Sequence, residues 1–187
     1  FTTYMLPEDP EIWMKSVGED KAEVYQIKKQ FGYMDQYVRN HLQLNQGEKG
    51  FSEIALYADV FASDWSWSPL IFDMDNDGLK DIHITNGIEK RPNDLDFIQY
   101  SQEVDPNTKI EDLRKNQIDL LPTVKLPNHA FRQGVDLQFS NESKTWGLDQ
   151  TSYSNGSAYA DLDNDGDLDL VINNLDQPAF IYQNHSE

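Results

Sequence analysis

Shifting the chain by 88 residues lays one Asp-rich loop on another. Asp73-Met74-Asp75-Asn76-Asp77-Gly78-Leu79-Lys80-Asp81 falls on Asp161-Leu162-Asp163-Asn164-Asp165-Gly166-Asp167-Leu168-Asp169. The register extends well outside the loops. Asn40-His41 meets Asn128-His129, Phe51-Ser52 meets Phe139-Ser140, Ser66 meets Ser154, and Ile84 and Asn86 meet Ile172 and Asn174, with one local slip near Gly47 and Gly134. Self-similarity at a fixed period predicts one supersecondary unit built twice, which narrows the fold to repeat architectures.

Each copy reads as short strands. Residues 37–44 and 51–54 flank the turn-rich segment 45–50, and residues 129–132 and 137–140 flank Gly134, as hairpins do. An apolar strand then enters each Asp loop (Pro69-Leu70-Ile71-Phe72; Ala158-Tyr159-Ala160). Another leaves it (Ile82-His83-Ile84-Thr85; Leu170-Val171-Ile172-Asn173). About four strands per unit is the pattern of a propeller blade. Residues 10–31 and 89–127 interrupt this pattern with helical signals, among them the capping box Thr108-Lys109-Ile110-Glu111 followed by Leu113, Ile118, Leu120 and Leu121.

The predicted organisation is therefore a preceding blade's end with a helical insert (1–36), a blade unit (37–88), an insert (89–127), a second blade unit (128–176) and the start of a further one (177–187). Residues 1–6 occupy the place before the first insert that residues 83–88 occupy before the second. The expected fold is mainly β: a partial propeller of about two blades, open at both ends, with the chain a piece of a larger protein.

The loops have a chemistry of their own. Four carboxylates in one nine-residue turn repel one another unless a cation sits among them. Calcium prefers about six to eight hard oxygen ligands at ~2.3–2.6 Å in flexible geometry. Side chains at loop positions 1, 3, 5 and 9 supply most of these: Asp73, Asp75, Asp77 and Asp81 in one copy, Asp161, Asp163, Asp165 and Asp169 in the other. Gly78 and Gly166 at position 6 permit the reversal that turns a main-chain carbonyl inward at position 7, so Leu79 and Asp167 are predicted to ligate through the backbone. The expectation is two calcium ions. Magnesium's small octahedral shell leaves several of these carboxylates without a place, and zinc wants nitrogen or sulfur. A helix–loop–helix calcium hand needs Glu at position 12, where this chain has Ile84 and Ile172.

Composition supports this reading and closes others. The formal net charge is −18, with 33 acidic against 15 basic residues, a field that repels nucleic acid. Cysteine is absent, which removes disulfides, thiolate metal sites and cysteine nucleophiles. No apolar run approaches the ~20 residues of a membrane-spanning helix, and residues 1–6 show neither the basic region nor the cleavage pattern of a signal peptide.

With strand, Asp-x-Asp-x-Asp-Gly-x-x-Asp and apolar strand in hand, the sequence resembles the FG-GAP/VCBS repeat family, the blades of integrin-like β-propellers. Residues 65–73 and 155–161, the Ile-Thr-Asn-Gly run at 84–87 and Leu6-Pro7-Glu8-Asp9 look more specifically like bacterial VCBS proteins that often carry an ASPIC/UnbV-type domain. No ASPIC/UnbV pattern occurs in these residues. The resemblance implies an extracellular or cell-surface protein, commonly an outer-membrane lipoprotein of Bacteroidota-like bacteria. Its implied partners are other blades of the same parent protein, with an outer-membrane transporter or surface complex and glycan as further candidates. It implies no established catalytic activity.

Trp65 and Trp67, beside Asp64, are candidates for stacking on sugar rings if exposed, and for packing if not. His41 and His129 are equivalent in the repeat, which favours a structural role, and His83 reads as a packed strand residue. The leading functional expectation is a calcium-stabilised binding or assembly module recognising protein or glycan. The alternative is the propeller portion of a polysaccharide-active enzyme, which needs acid–base groups outside the calcium shells.

Overall fold

The computed structural model describes residues 1–17, 21–102 and 118–186. Helix α1 (Pro10–Met14) begins where the Asp9 carboxylate accepts the N–H groups of Glu11 and Ile12, and α2 (Ala22–Gln30) completes the first insert. Strands β1 (Gln43–Asn45) and β2 (Phe51–Glu53) form a hairpin around a 3-10 turn at Gly47–Lys49, followed by the short helix α3 (Ala55–Ala58). Next come β3 (Ser66–Phe72), β4 (Asp81–Asn86), α4 (Leu95–Gln102), β5 (Leu126–Pro127), β6 (His129–Gln133) and β7 (Phe139–Asn141). Strands β8 (Thr151–Ser152), β9 (Ser154–Ala160), β10 (Asp169–Asn174) and β11 (Phe180–Tyr182) complete the order. The capping box at 108–111 and Leu113 lie outside the described residues.

The chain is mainly β, in several small antiparallel sheets. The largest runs β3-β4-β6-β7; a three-stranded sheet runs β9-β10-β11; β1 pairs with β2 and β5 with β8. The predicted strand over 37–44 forms only from Gln43. Before it, Asn40 puts its side chain where a ladder bond would go. The Tyr4 N–H donates to Asn40 Oδ1 at 2.9 Å, and Thr2 and His41 make an isolated backbone bridge. The same device recurs 88 residues on, where the Asn86 N–H donates to Asn128 Oδ1 at 2.8 Å.

The β-branched run in β4 explains why this strand is central. It hydrogen-bonds to β3 on one side and β6 on the other, and all six of its residues are buried. Its alternation serves two cores. Ile82 and Ile84 face Ala55, Ala58, Val60 and Phe131, while the opposite face of the sheet puts Phe72 and Ala130 against Leu148, Leu170 and Ile172. His83, paired with Leu70 and Ala130, is fully buried, and neither ring nitrogen has a hydrogen-bond partner. Pro69 in β3 has no N–H to give, and the register shifts between Ser66 and Pro69; the Thr85 hydroxyl takes the neighbouring Ser68 N–H at 2.9 Å. Where β3 meets β9, Phe72 stacks on Tyr159 at 4.3 Å between ring centroids.

The sheets and the sequence repeat are out of phase. Strands β3 and β4 belong to residues 37–88, yet their sheet is completed by β6 and β7 from residues 128–176. The long insert between β4 and β6 leaves the sheet and returns to its neighbouring position. On the way it meets the first insert: Val17 N–H donates to the Asn93 carbonyl at 2.8 Å and Leu95 N–H to the Lys15 carbonyl at 2.7 Å. Arg91 lies close in sequence to this junction, and its N–H donates to the Pro122 carbonyl at 3.0 Å. Its guanidinium grips both oxygens of Asp64 at 2.6 and 2.7 Å, with both side chains almost wholly buried.

Candidate metal centres

The two Asp loops connect β3 to β4 and β9 to β10, held at both ends by antiparallel pairing. Each reverses through left-handed residues: Asn76 and Gly78 at φ 58° and 87°, Asn164 and Gly166 at φ 64° and 102°. Asn and Gly tolerate this region best, so the sequence Asn-Asp-Gly builds the turn locally. Loop backbone then satisfies much of the carboxylate layer. The Gly78 N–H donates to Asp73 Oδ2 and the Gly166 N–H to Asp161 Oδ2, at 3.0 and 3.2 Å. At position 7, the Leu79 N–H donates to Asp77 Oδ1 and the Asp167 N–H to Asp165 Oδ1.

Asp81 and Asp169 at position 9 open the exit strands and are buried. Each accepts two main-chain N–H groups: Met74 and Gln133 on Asp81 at 2.8 and 2.9 Å, Leu162 and Asn184 on Asp169 at 3.0 and 2.8 Å. One carboxylate thus ties the loop's start to the neighbouring chain, at the end of β6 in one copy and just after β11 in the other. Burial pushes the Asp81 carboxyl above its ordinary range; the two N–H groups oppose that, and the nearby Asp75 and Asp77 carboxylates add to it.

Two acidic clusters can hold a metal ion. Oxygens of Asp73, Asp75 and Asp81 lie within 4.8 Å of one another, as do those of Asp161, Asp163 and Asp165. The first set is half-buried to buried and the second exposed. Asp73 Oδ1 is buried with no hydrogen-bond partner, an orphaned acceptor of the kind that a cation satisfies. The donor set is all oxygen, which fits a hard cation. Asp77 and Asp169, predicted in the same shells, stand outside these triads. Asp77 leans to Arg132, whose Nη2 lies 2.8 Å from Asp77 Oδ2 while Nε lies 2.5 Å from Asp75 Oδ2.

Arg132 escaped the sequence reading because it reaches the loop from β6, across the insert. At the matching place beyond β10, Gln183 donates to Asp163 Oδ2. The loops also touch each other, through Asn76 and Asp167.

Trp67 is 45% exposed and its Nε1 donates to the Gly87 carbonyl at 2.7 Å. Trp65 is half-buried, 6.4 Å away between ring centroids, with its Nε1 buried and unpartnered. Trp67 borders a hollow of about 290 Å³ shared with Lys90, Tyr153 and Asn155. His129 is buried and 3.6 Å from Glu8. That is too long for a hydrogen bond, and burial holds the ring neutral, so the contact is not an ion pair.

Neither protein-family models nor curated proteins yield a match to this chain.

Proposed function

We propose that this chain is a calcium-stapled β-propeller module of a surface or secreted protein, and that it binds or assembles with protein or glycan. The observation that carries the metal part is the orphaned, buried Asp73 Oδ1 within a triad of converging carboxylates. The all-oxygen donors, the left-handed Asn-Asp-Gly turns and isoleucine at position 12 favour calcium as a structural ion over magnesium, zinc or a sensor hand. Asp77, Asp169 and the carbonyls of Leu79 and Asp167 would complete the shells. The ion's work is to neutralise each cluster and fix the turn between paired strands, coupling metal to folding.

The propeller reading rests on the 88-residue repeat, the four-strand antiparallel sheet and the apolar core on each face of that sheet, one against α3 and one against β10. Recognition is assigned to the joined inserts and to the exposed face of Trp67. Loops and inserts on a rigid scaffold commonly carry function, and an exposed indole suits sugar stacking. Localisation at the cell surface, as an outer-membrane lipoprotein beside a transporter or surface complex, follows from the family resemblance alone.

Calorimetric titration of the chelator-treated chain with calcium and with magnesium tests the ion. Calcium uptake at two sites with weaker magnesium uptake is expected; uptake of neither ion removes the reading. A glycan array with the wild type and Trp67→Ala tests the second part, where binding that depends on Trp67 is expected.

A further inference from the structure

The loops match in backbone but differ in the side chain that faces them. Register makes the comparison residue by residue. Ile82 pairs with Phe131, and Leu170, its repeat equivalent, pairs with Tyr182. The next residue is therefore Arg132 over one loop and Gln183 over the other, and the residue after it (Gln133, Asn184) donates its N–H to the position-9 carboxylate in both. The frame is the same. A guanidinium stands where the other loop has a neutral amide.

We infer that Arg132 is a built-in counter-cation that lowers the divalent-cation affinity of loop 73–81, so that loop 161–169 fills first. This rests on the reading of both loops as cation sites. Arg132 bridges Asp75 Oδ2 and Asp77 Oδ2, taking up oxygens that the ion needs and leaving Asp77 outside the converging triad. In the other loop Asp165, the counterpart of Asp77, is a member of the triad. A guanidinium does not deprotonate in a protein, so its charge is permanent. It stays close to the site and repels a divalent ion at short range, where screening by salt is weakest. Gln183 brings no charge. The same contact has an opposite effect without metal: Arg132 neutralises two of the clustered carboxylates and ties the loop to β6, so loop 73–81 keeps its shape when cations are scarce.

The test is calcium titration of the full chain, read by calorimetry, for the wild type, Arg132→Gln and Gln183→Arg. Asp161→Asn identifies the step that belongs to the second loop. The wild type is expected to bind in two steps at least about ten-fold apart, an energy gap of about 1.4 kcal/mol. Arg132→Gln should tighten the weak step and bring the two together; Gln183→Arg should weaken the strong one. Melting without calcium supplies a second readout. Arg132→Gln should melt lower than the wild type in chelator and gain more on adding calcium. An Arg132→Gln chain that binds no tighter, or that loses the same melting temperature with and without calcium, makes Arg132 a purely structural residue and overturns the inference. A wild type whose two sites fill with equal affinity overturns it as well, while leaving the cation reading intact. Absence of calcium uptake in all three proteins removes the cation reading and the inference together.

Discussion

Asn76 in the first loop donates its side-chain N–H to Asp167 Oδ1 in the second, at 2.6 Å. The two residues are remote in sequence and sit at the tips of turns from different sheets. Asp167 occupies position 7, which the proposed calcium shell would use through its main-chain carbonyl. Its carboxylate is therefore left over for lateral work, and it joins one loop to the other.

That division of labour separates two neighbouring aspartates. Asp165→Ala should weaken calcium binding at the second loop by at least about ten-fold, because it removes a side-chain ligand. Asp167→Ala keeps its carbonyl and should change that affinity far less. Loop-resolved calorimetry checks both, and equal losses would refute the role given to position 7.

Removing calcium should lower the melting temperature. At free calcium about 100-fold above Kd, each site stabilises the folded chain by about 2.7 kcal/mol. For a chain of this size that corresponds to a fall of about 5–10 °C per site lost. Scanning calorimetry in chelator and in calcium measures it; superimposed melts in a verified metal-free sample would end the stapling idea.

The Asp64–Arg91 pair predicts a non-additive response. Removing either partner leaves a buried charge alone, at a cost of about 3–5 kcal/mol. Arg91→Met should therefore destabilise strongly, and the double variant Asp64→Asn, Arg91→Met should recover part of the loss. Asn is chosen because residue 64 sits at φ 58°, which Asn tolerates. Denaturant unfolding of the four proteins of this cycle gives the coupling energy.

Stability should fall with acid, driven by His83 and His129. Burial, with a smaller contribution from the nearby His129, lowers the His83 pKa from 6.5 to about 3. Burial lowers His129 from 6.5 to about 4, against the pull of Asp64. Both rings stay neutral when folded and gain a proton when the chain unfolds. Their contribution is thus complete above the unfolded pKa and is lost as pH falls from about 6.5 toward the folded values. The slope is about 1.4 kcal/mol per pH unit for each ring. Denaturation between pH 7 and 4.5 follows it, and His83→Leu should flatten the slope by about half.

Much of the candidate site was legible because its chemistry is local. Asp-x-Asp-x-Asp-Gly-x-x-Asp carries its own turn, and the runs after it carry their own strand preference, so Asp73 to Asp81 and the buried β4 could be read from adjacent letters. What the chain hides is which strand lies beside which. Nothing near Arg132 says that β6 returns beside β4, so its hold on Asp75 and Asp77 was invisible. In the sequence Asp64 stands out only as a neighbour of two tryptophans, since its partner Arg91 lies across β3 and β4. The predicted strand over 37–44 shortened for a similar reason: Asn40 spends its side chain on Tyr4, and periodicity does not register that.

The offset between sheet and repeat has a practical consequence. Residues 1–36 supply Thr2 to bridge His41, residues 37–88 supply two strands that 128–176 complete, and 128–176 in turn take β11 from residues 177–187. Units joined this way are links rather than beads. A cut made at a sequence border therefore falls inside a sheet, between β4 and β6, and not between one sheet and the next.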